Sequence, residues 1–559
     1  MERNVSRRGF LAGFAATGAV AALGLAGCSP SSSATKGEAG SSSAEESSWK
    51  TRLNVDLVST LPGNTDAEVS ISETKDCDVV VIGAGCSGTN TAVRAAEAGL
   101  SVILVEKTTT IGGASLKSWA PSVPNSKYAQ AAGVTTDTDP LIKTWVADSH
   151  WRVNASAVRQ LVNTSGTAVN WMSDYGWKFT YLGMGADITT LPAYAEREGL
   201  FKDMLSKTVE TSGEVLTETT AKHLVVDDGA VTGVVVTDAS GTGIQINARA
   251  VVIATGGYGA NAPMVKTAFG FEGVFAGLPQ NIGEGLEMGW AAGAQKPQNF
   301  GGQMLHQTLA RATDTLVNQF DAFPAKYPMI LTYIPQLINV GTTGVRFRDE
   351  TLTLDPVPAA NSSVEQGSYH YVIVSKDNMD VLEREGLTGL GVTVDPGLPP
   401  ELKPVYELTT PWADVEKVFD AMVDANAGFK GDTIEELAQA AGLDEEVLAQ
   451  QVSDYEGYCA SGVDTQFGKA AAYLRPLNNG PYYAIIAEEN NLCSWGGLLV
   501  DTDYRVLDDD RKPLSGLYAV GNEAGGNLYN DTYVGFGYGM ANTITSGYLC
   551  GTKLGEELA

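Results

Sequence analysis

The stretch Asp78-Val79-Val80-Val81-Ile82-Gly83-Ala84-Gly85-Cys86-Ser87-Gly88 carries the strongest structural signal in this sequence of 559 residues. Its first half is a continuous apolar run, which is typical of a strand buried on both faces of a parallel sheet. Its second half is a Gly-x-Gly-x-x-Gly loop, whose glycines allow a tight turn and a close approach of phosphate to the backbone. Residues 89–98 then show helical periodicity, so the order predicts a strand, a turn and a helix.

A second strand and an acidic residue follow at the spacing that a dinucleotide site requires. The second apolar run covers residues 101–105 and ends at Glu106. A carboxylate about 20 residues beyond the glycine loop can accept a hydrogen bond from a ribose hydroxyl. The strand, loop, helix, strand and acid occur in this order, which predicts a dinucleotide-binding unit with its pyrophosphate at Gly83, Gly85, Ser87 and Gly88.

The composition argues against several other functions. Lys and Arg number 37 against 66 Asp and Glu, and the formal net charge of −29 repels nucleic-acid phosphates. The six cysteines form no Cys-x-x-Cys pair, which disfavours an attached haem, a cysteine-type zinc site and a ferredoxin-like cluster. The four histidines are never spaced i,i+4. We therefore expect no nucleic-acid partner and no metal site.

The N-terminal residues read as an export signal. Ser6-Arg7-Arg8-Gly9-Phe10-Leu11 is a twin-arginine pattern, and the apolar run 10–25 is shorter than the about 20 residues of a spanning helix. The run ends in Leu25-Ala26-Gly27-Cys28, which looks like a lipobox with Cys28 as the lipidated residue. We expect residues 1–28 to be a signal peptide and residues 29–72 to be a flexible tether and irregular lead-in. An uncleaved anchor helix is the alternative to an exported lipoprotein held on the extracytoplasmic side of the membrane by its lipid alone.

Three later segments extend the dinucleotide pattern. Ile111-Gly112-Gly113-Ala114-Ser115 follows the acidic residue, the apolar run 250–254 ends in Thr255-Gly256-Gly257, and Gly516-Leu517-Tyr518-Ala519-Val520-Gly521-Asn522 lies near the C-terminus. With these motifs, residues 73–559 resemble the FAD-dependent fumarate reductase and 3-ketosteroid dehydrogenase superfamily. The resemblance implies an α/β fold, in which a Rossmann-like FAD-binding domain carries an inserted α+β substrate-capping domain.

The resemblance also implies the domain limits and the cofactor. Residues 73–300 and 493–559 would form the FAD-binding domain and residues 301–492 the cap, with the substrate between cap and flavin ring. Residues 217–250 alternate as a β-meander, and the cap pattern predicts helices over 412–427 and 433–455. The FAD should be non-covalent, because residues 112–120 hold no histidine where covalent members attach their flavin. The residues implied at the FAD are Gly83, Gly85, Ser87, Gly88, Glu106, Lys107, Gly112, Gly113, Ala114, Ser115, Ala221, Thr255, Gly256, Gly257, Gly521, Asn522 and Gly537.

The catalytic positions depart from those of fumarate reductases. Those enzymes carry a proton-donating arginine after a Gly-x-Arg-Phe-x-Asn-Glu motif, and the similar stretch 344–350 here places Leu354 at that position. The family's substrate-binding histidine falls on Cys493, and its second carboxylate-binding arginine falls near Tyr533. A dicarboxylate needs fixed positive charge, which guanidinium groups supply best. The substitutions therefore disfavour fumarate or succinate chemistry.

Other residues suggest what replaces the missing charges. Thr532-Tyr533-Val534-Gly535-Phe536-Gly537 is similar to a ketosteroid dehydrogenase segment, in which the tyrosine hydroxyl and the N–H of the second glycine bind the ketone oxygen. Alternatively, the glycines only let the backbone approach the flavin. His306 is similar to a substrate-contacting histidine of fumarate reductases, although a structural histidine is the common case. Tyr333 is a candidate for the missing proton donor.

These residues predict an FAD-dependent oxidoreductase that acts on CH–CH bonds. We expect it to reduce an activated C=C bond of an enone or related unsaturated small molecule by hydride transfer from the flavin. Because the chain shows no haem motif and no second flavin domain, electrons should come from a separate quinol-linked membrane partner or a diffusible carrier. The alternatives are a ketosteroid-type dehydrogenase that introduces a C=C bond next to a ketone, a fumarate-type dicarboxylate reductase, and a solute-binding lipoprotein.

Overall fold

The computed structural model describes residues 69–182, 187–270, 274–275, 277–295, 303–308, 330–354, 356–367, 369–393, 408–530, 533–535 and 537–559. At residues 274, 303–308, 356, 357 and 490 it describes the backbone only. The predicted signal peptide, its Cys28 and most of the predicted tether lie outside these ranges. No helix within them combines the length and the apolar character that crossing a membrane requires.

The strands and helices of these ranges are as follows. The strands are β1 (Ile71–Ile82), β2 (Val102–Val105), β3 (Thr180–Tyr181), β4 (Thr189–Thr190), β5 (Glu214–Leu216), β6 (Thr220–Asp227), β7 (Ala230–Thr237), β8 (Gly243–Ile253), β9 (Val274–Phe275), β10 (Gln303–Thr308), β11 (Ile338–Val340), β12 (Tyr369–Ser375), β13 (Gly428–Gly431), β14 (Tyr482–Ser494), β15 (Arg505–Leu507) and β16 (Pro513–Ala519). The helices are α1 (Cys86–Glu97), α2 (Lys127–Ala131), α3 (Asp139–Asp148), α4 (Ala155–Asp174), α5 (Tyr194–Lys207), α6 (Ala262–Phe269), α7 (Glu284–Ala291), α8 (Pro356–Asn361), α9 (Lys376–Glu385), α10 (Val415–Asp424), α11 (Ile434–Ala441), α12 (Glu445–Ser461) and α13 (Tyr538–Leu558).

The chain divides into two compact units. The described residues of the large unit lie within 69–270, 277–304 and 492–559, and those of the inserted unit within 271–276 and 305–491. The sequence prediction placed all of 73–300 in the FAD-binding domain. The structure assigns β9 to the inserted unit instead, because Val274 and Phe275 pair with Asn490 and Asn491 of β14.

A mainly parallel sheet forms the centre of the large unit. Its strand order is β15-β16-β8-β1-β2-β5, and β7 pairs with the first half of β8 and carries β6. β1 lies between β2 and β8 with Val79 opposite Val102 and Ala250, and all three strands bury their apolar runs. β1 begins at Ile71, because its first half also pairs with β8, so the predicted irregular lead-in is wrong for residues 71–72. This sheet confirms the predicted Rossmann-like α/β fold.

The C-terminal helix α13 packs closely along α1. A Cβ on Gly547 would lie 2.3 Å from the Ser87 carbonyl oxygen, and one on Gly551 would lie 2.5 Å from the Cβ of Arg94. Both distances are shorter than any real Cβ contact, so glycine is required for the two helix backbones to approach this closely. The last residues of the chain are thereby held against the first βα unit.

A second sheet of order β10-β14-β12-β11, with β13 and β9 also paired to β14, lies mostly within the inserted unit. The predicted helix over residues 433–455 is wrong as one element, because it is divided into α11 and α12. Gly442 ends α11 in the left-handed conformation with φ of +70°, and the Asp444 side chain accepts from the Val447 N–H at 3.0 Å to begin α12. The other predicted helix corresponds to α10, which is shorter than the pattern suggested.

A fully buried group of charged side chains occupies the inserted unit. Arg346 contacts Glu350 at 2.6 Å and Asp464 at 2.8 Å, and Lys469 contacts Glu350 at 3.2 Å. Glu350 also accepts the Asn339 N–H at 3.1 Å. We call Arg346, Glu350, Asp464 and Lys469 the charge cluster. Arg346, the arginine of the Gly-x-Arg-Phe motif, therefore forms buried ion pairs that stabilise the inserted unit.

Candidate active site

The three glycines of the loop, Gly83 and Gly85 before α1 and Gly88 in its first turn, have different geometric roles. Gly83 adopts a φ of +107°, and a Cβ on Gly88 would lie 1.9 Å from the Gly83 carbonyl oxygen. These two positions close the strand against the helix. A Cβ on Gly85 would meet no atom of the chain within 4 Å. Open space therefore lies beside the loop at the N-terminus of α1, where unpaired backbone N–H groups favour a phosphate.

The acidic residue at the end of β2 lies beside this loop. One carboxylate oxygen of Glu106 accepts the Ala84 N–H at 3.0 Å, and the other accepts the Thr108 N–H at 2.9 Å. Lys107 donates to the Gln280 carbonyl at 2.8 Å and forms an ion pair with Glu284. Glu106 is therefore oriented toward the glycine loop, whereas Lys107 connects β2 to the start of α7.

The Gly112–Ser115 segment contacts the same loop from the other side. The Gly112 N–H donates to the Ala84 carbonyl at 2.8 Å, and a Cβ on Gly113 would lie 3.1 Å from the Gly85 Cα. Ala114 and Ser115 continue the segment as a short 3₁₀ helix, in which Ser115 is buried. Two sequence motifs separated along the chain thus form one continuous backbone surface.

A buried arginine from α5 holds this segment in place. Arg197 donates to the carbonyl groups of Ser115 at 3.1 Å and Leu116 at 3.2 Å, to that of Ser118, and to Pro192 at 2.8 Å. Burial lowers the pKa of its guanidinium to about 10. The sequence analysis did not find Arg197, because a single arginine distant from every motif carries no local signal.

The segment after β8 is held by a buried carboxylate. Glu523 accepts the Thr255 hydroxyl at 2.5 Å and the Gly257 N–H at 2.9 Å, and Asn522 donates to the Gly256 carbonyl at 3.0 Å. The second carboxylate oxygen of Glu523 is buried and has no hydrogen-bond partner among the described residues. Burial raises the pKa of this carboxyl. The sequence analysis predicted Asn522 as a cofactor-binding residue but did not include the next residue, Glu523.

The remaining predicted cofactor residues border the same region. The Gly521 N–H donates to the Ser546 hydroxyl at 3.1 Å, and a Cβ on Gly521 would lie 2.5 Å from the Ser87 hydroxyl in the first turn of α1. Ala221 lies on β6, whose preceding residue Thr219 donates its N–H to the Glu106 carbonyl at 2.9 Å. The large unit therefore gathers four glycine segments, at residues 83–88, 112–113, 256–257 and 521, together with Glu106 and Glu523, and we call these residues the cradle.

Tyr533 lies in the large unit at the N-terminus of α13. Its ring stacks on Trp495 with centroids 4.9 Å apart, and its hydroxyl oxygen accepts the Gly539 N–H at 2.8 Å. Burial raises the pKa of this hydroxyl, so it stays protonated. Gly537 precedes α13 with φ of +80°, and a Cβ there would lie 2.7 Å from the Ser122 nitrogen. Gly537 is therefore required by the backbone packing at this position.

The other predicted catalytic residues belong to different parts of the chain. His306 lies on β10, and its side chain is outside the described residues. Tyr333 is buried at the end of a 3₁₀ helix that contacts the 3₁₀ helix ending at Leu354, and both helices belong to the inserted unit. Cys493 is the penultimate residue of β14, and desolvation raises the pKa of its thiol to about 12.

Comparison with known proteins shows the family to which the chain belongs. The model of the family described as FAD binding domain matches residues 78–315 and 335–537. The chain belongs to this family. It is 31% identical over 472 residues to the vinyl phenol reductase of Lactiplantibacillus plantarum, with 82% of this chain and 91% of that protein covered.

Two more distant proteins are also similar to the chain. The chain is 25% identical to a cytochrome-type fumarate reductase of Shewanella frigidimarina, with 85% of this chain and 76% of that protein covered. The crystal structure of 3-ketosteroid-Δ4-(5α)-dehydrogenase from Rhodococcus jostii superposes with a TM-score of 0.62 at 18% identity, covering 89% of this chain and 99% of the other. These comparisons confirm the predicted superfamily.

The FAD-binding family membership explains two features of the cradle. The open space beside Gly85 at the N-terminus of α1 suits a pyrophosphate, and the unpaired oxygen of Glu523 suits a hydroxyl group of the cofactor. The residues present therefore fit FAD. The protein is an FAD-dependent oxidoreductase whose relatives act on C=C bonds, which excludes the alternative of a solute-binding lipoprotein.

Proposed function

We propose that the protein reduces the activated C=C bond of an uncharged unsaturated small molecule, such as an enone. The observation that supports this is the environment of Tyr533. The described side chains that contact its ring, those of Trp495 and Tyr529, carry no charge, and its oxygen accepts only a backbone N–H, that of Gly539. A dicarboxylate bound beside Tyr533 would find no positive partner among these contacts, and an uncharged carbonyl would need only hydrogen-bond donors.

Tyr533 is suited to donate a hydrogen bond to that carbonyl. Its oxygen already accepts the Gly539 N–H, so its own proton remains to be donated to another acceptor. Bound reduced FAD supplies the hydride in this family of reactions. As negative charge develops on the substrate oxygen, the Tyr533 hydroxyl would stabilise it, which lowers the barrier to addition at the C=C bond.

The proton for the second carbon must come from another group, since Leu354 cannot donate one. Tyr333 is our candidate, because its 3₁₀ helix contacts the helix that carries Leu354. A phenol near the position of the lost arginine would conserve the role of proton donor with a neutral group.

The direction of reaction is supported by the relative with 31% identity, which is a reductase acting on vinyl phenol, an uncharged alkene. A ketosteroid-type dehydrogenation remains the second candidate, because the Tyr533–Gly537 segment resembles the ketone-binding segment of those enzymes. The Tyr533 hydroxyl would serve as donor in reduction and in dehydrogenation, because negative charge develops on the substrate oxygen in both directions.

Anaerobic reoxidation of the reduced holoprotein tests the proposal. The flavin is reduced with dithionite, the excess is removed, and reoxidation is followed by absorbance with 2-cyclohexenone, 3-penten-2-one, 4-vinylphenol or fumarate. We expect rapid reoxidation by at least one uncharged acceptor and none by fumarate. Rapid reoxidation by fumarate alone would contradict the proposal. Reduction of the oxidised enzyme by saturated ketones would favour the dehydrogenase instead.

We further propose that the enzyme is exported and held at the membrane by a lipid on Cys28, where a separate donor supplies electrons. The twin-arginine and lipobox sequences at residues 6–28 support this. A Cys28→Ser variant should move from the membrane fraction to the soluble extract with unchanged acceptor activity. Retention of this variant in the membrane would indicate an uncleaved anchor helix.

A further inference from the structure

Five aromatic rings form a buried cluster in the large unit. Trp145 of α3 contacts Tyr538 with ring centroids 4.3 Å apart and Tyr529 at 5.6 Å. Trp495 contacts Tyr529 at 4.6 Å and stacks on Tyr533 at 4.9 Å. Each of the five side chains is at most 2% exposed. We call these residues the aromatic cluster, and Tyr533 connects it to the proposed reaction.

Polar atoms of this cluster fall into two groups. The Trp145 indole N–H donates to the Leu528 carbonyl at 2.7 Å, and the Tyr533 oxygen accepts from Gly539. By contrast, the Trp495 indole N–H and the Tyr529 and Tyr538 hydroxyl groups have no partner among the described residues.

Three unpaired polar groups in one buried cluster point to a ligand. A buried donor or acceptor without a partner is destabilising, so native structures seldom leave several together. Burial raises the pKa of the Tyr529 and Tyr538 hydroxyls, which keeps both protonated and able to donate or accept. A bound molecule with its own hydroxyl or carbonyl group would satisfy them.

The cluster also restricts the shape and charge of that molecule. Aromatic rings prefer other flat rings at centroid distances of about 4.5–7 Å, in stacked or edge-to-face arrangements. The five side chains carry no formal charge, and the thiol of Cys493, the neighbour of Trp495 two residues earlier, is protonated as well. A carboxylate would lose its hydration here without gaining a cation.

We propose that the aromatic cluster binds the aryl ring of the acceptor, so that the substrate is an uncharged aryl-conjugated alkene with a polar ring substituent. This inference rests on the proposed function and names the substrate class for it. In the reaction one alkene carbon gains a hydride and the other gains a proton. Both electrons come with the hydride from the reduced flavin, which is the established chemistry of the family. The aryl ring itself is unchanged.

Three acceptors that share one enone isolate the contribution of the ring. They are 3-penten-2-one, 4-phenyl-3-buten-2-one and 4-(4-hydroxyphenyl)-3-buten-2-one, which carry a methyl, a phenyl and a hydroxyphenyl group at the same carbon. We expect kcat/KM to rise at least about ten-fold from methyl to phenyl, as burial of a ring predicts. A further rise of about five-fold or more should follow from phenyl to hydroxyphenyl, because the hydroxyl satisfies buried groups.

Two variants test the unpaired hydroxyls, and a third is the matched control. Tyr529→Phe and Tyr538→Phe should abolish the gain from phenyl to hydroxyphenyl and keep the gain from methyl to phenyl. Tyr504→Phe removes another buried tyrosine hydroxyl of the large unit and should change neither step. FAD content and thermal unfolding of each purified variant establish that it has folded.

Binding to the oxidised holoenzyme gives a readout independent of turnover. The saturated product 4-(4-hydroxyphenyl)butan-2-one is titrated and its dissociation constant is measured by the change in flavin absorbance. We expect the constant to rise about five-fold or more in Tyr529→Phe and Tyr538→Phe. If 3-penten-2-one matches the aryl acceptors, or the variants bind the product normally, the inference is overturned and the proposed function stands. If no uncharged acceptor reoxidises the enzyme, the proposed function itself fails.

Discussion

The charge cluster and the aromatic cluster are both buried, but they differ in how completely their polar groups are paired. In the charge cluster Glu350 has an arginine, a lysine and a backbone N–H as partners, and Asp464 accepts from Arg346 and from the Gln466 N–H at 2.9 Å. In the aromatic cluster three polar atoms have no partner among the described residues.

This difference separates a structural region from a binding region. A buried charge without a partner would be too costly to keep, and each charged group of the charge cluster has a partner of opposite charge, although one Arg346 nitrogen, Nη1, has no hydrogen-bond partner among the described residues. Neutral hydroxyl and indole groups cost less when unpaired, and a ligand can recover that cost on binding. Substitutions in the first region should therefore change stability, and those in the second should change binding or turnover.

The largest effect is expected from Glu350→Ala in the charge cluster. It leaves Arg346 and Lys469 buried with their common carboxylate removed, which should lower the free energy of unfolding by about 3–5 kcal/mol. Urea unfolding followed by tryptophan fluorescence measures this. Glu383→Ala on the exposed face of α9 is the control and should change stability by less than about 0.5 kcal/mol. Equal stability of both variants would show that the charge cluster is not structural.

Tyr533→Phe should give the next largest effect, and on turnover instead of stability. Loss of one donor to a developing oxyanion typically lowers kcat by about 10²–10³-fold, or about 2.7–4 kcal/mol. The ring keeps its stacking on Trp495, so FAD content should remain near that of the parent, and the lost hydrogen bond from the Gly539 N–H should lower the free energy of unfolding by only about 1 kcal/mol. Steady-state turnover with the best acceptor measures the loss. A variant within about three-fold of the parent, as expected for Tyr504→Phe, would contradict the proposed role.

Acid should weaken the charge cluster more than the aromatic cluster. Arg346 and nearby N–H groups lower the pKa of Asp464 to about 2, and Arg346 and Lys469 lower the pKa of Glu350. Because these folded pKa values lie below the unfolded ones, their stabilisation is present above about pH 4 and is lost as the pH falls toward 2. The free energy of unfolding should fall by about 1–2 kcal/mol over this range. Asp464→Asn should reduce this slope, and an unchanged slope would exclude Asp464 as its source.

The smallest effect is expected from Glu523→Gln at the cradle. The amide oxygen can still accept from Thr255 and Gly257, so the fold should remain, but the unpaired carboxylate oxygen is replaced by an amide donor. We expect the dissociation constant of FAD to rise about five-fold, or about 1 kcal/mol, measured by flavin fluorescence on reconstitution of the apoprotein. Glu556→Gln, on the exposed side of α13, is the control. Equal FAD affinity in both variants would remove Glu523 from the cofactor site.

The sequence predicted those parts of the site that local patterns encode. The apolar run 78–82, the glycine loop and Glu106 require only near neighbours to specify a strand, a turn and a helix N-terminus, and the structure places them together. The same local reasoning misjudged residues 71–72 and 433–455. Pairing of β1 with β8 extends the first strand, and a left-handed Gly442 divides the predicted helix.

Tertiary structure alone decided which polar groups are buried and which of them lack a partner. Arg197 and Glu523 contact the glycine segments from distant elements, and the aromatic cluster gathers rings from α3, the end of β14 and the start of α13. Periodicity and turn chemistry depend on residues a few positions apart, whereas burial and pairing depend on which segments fold against one another. The sequence therefore predicted the segments that would hold FAD, and only the folded chain brought together the side chains that we propose select the substrate.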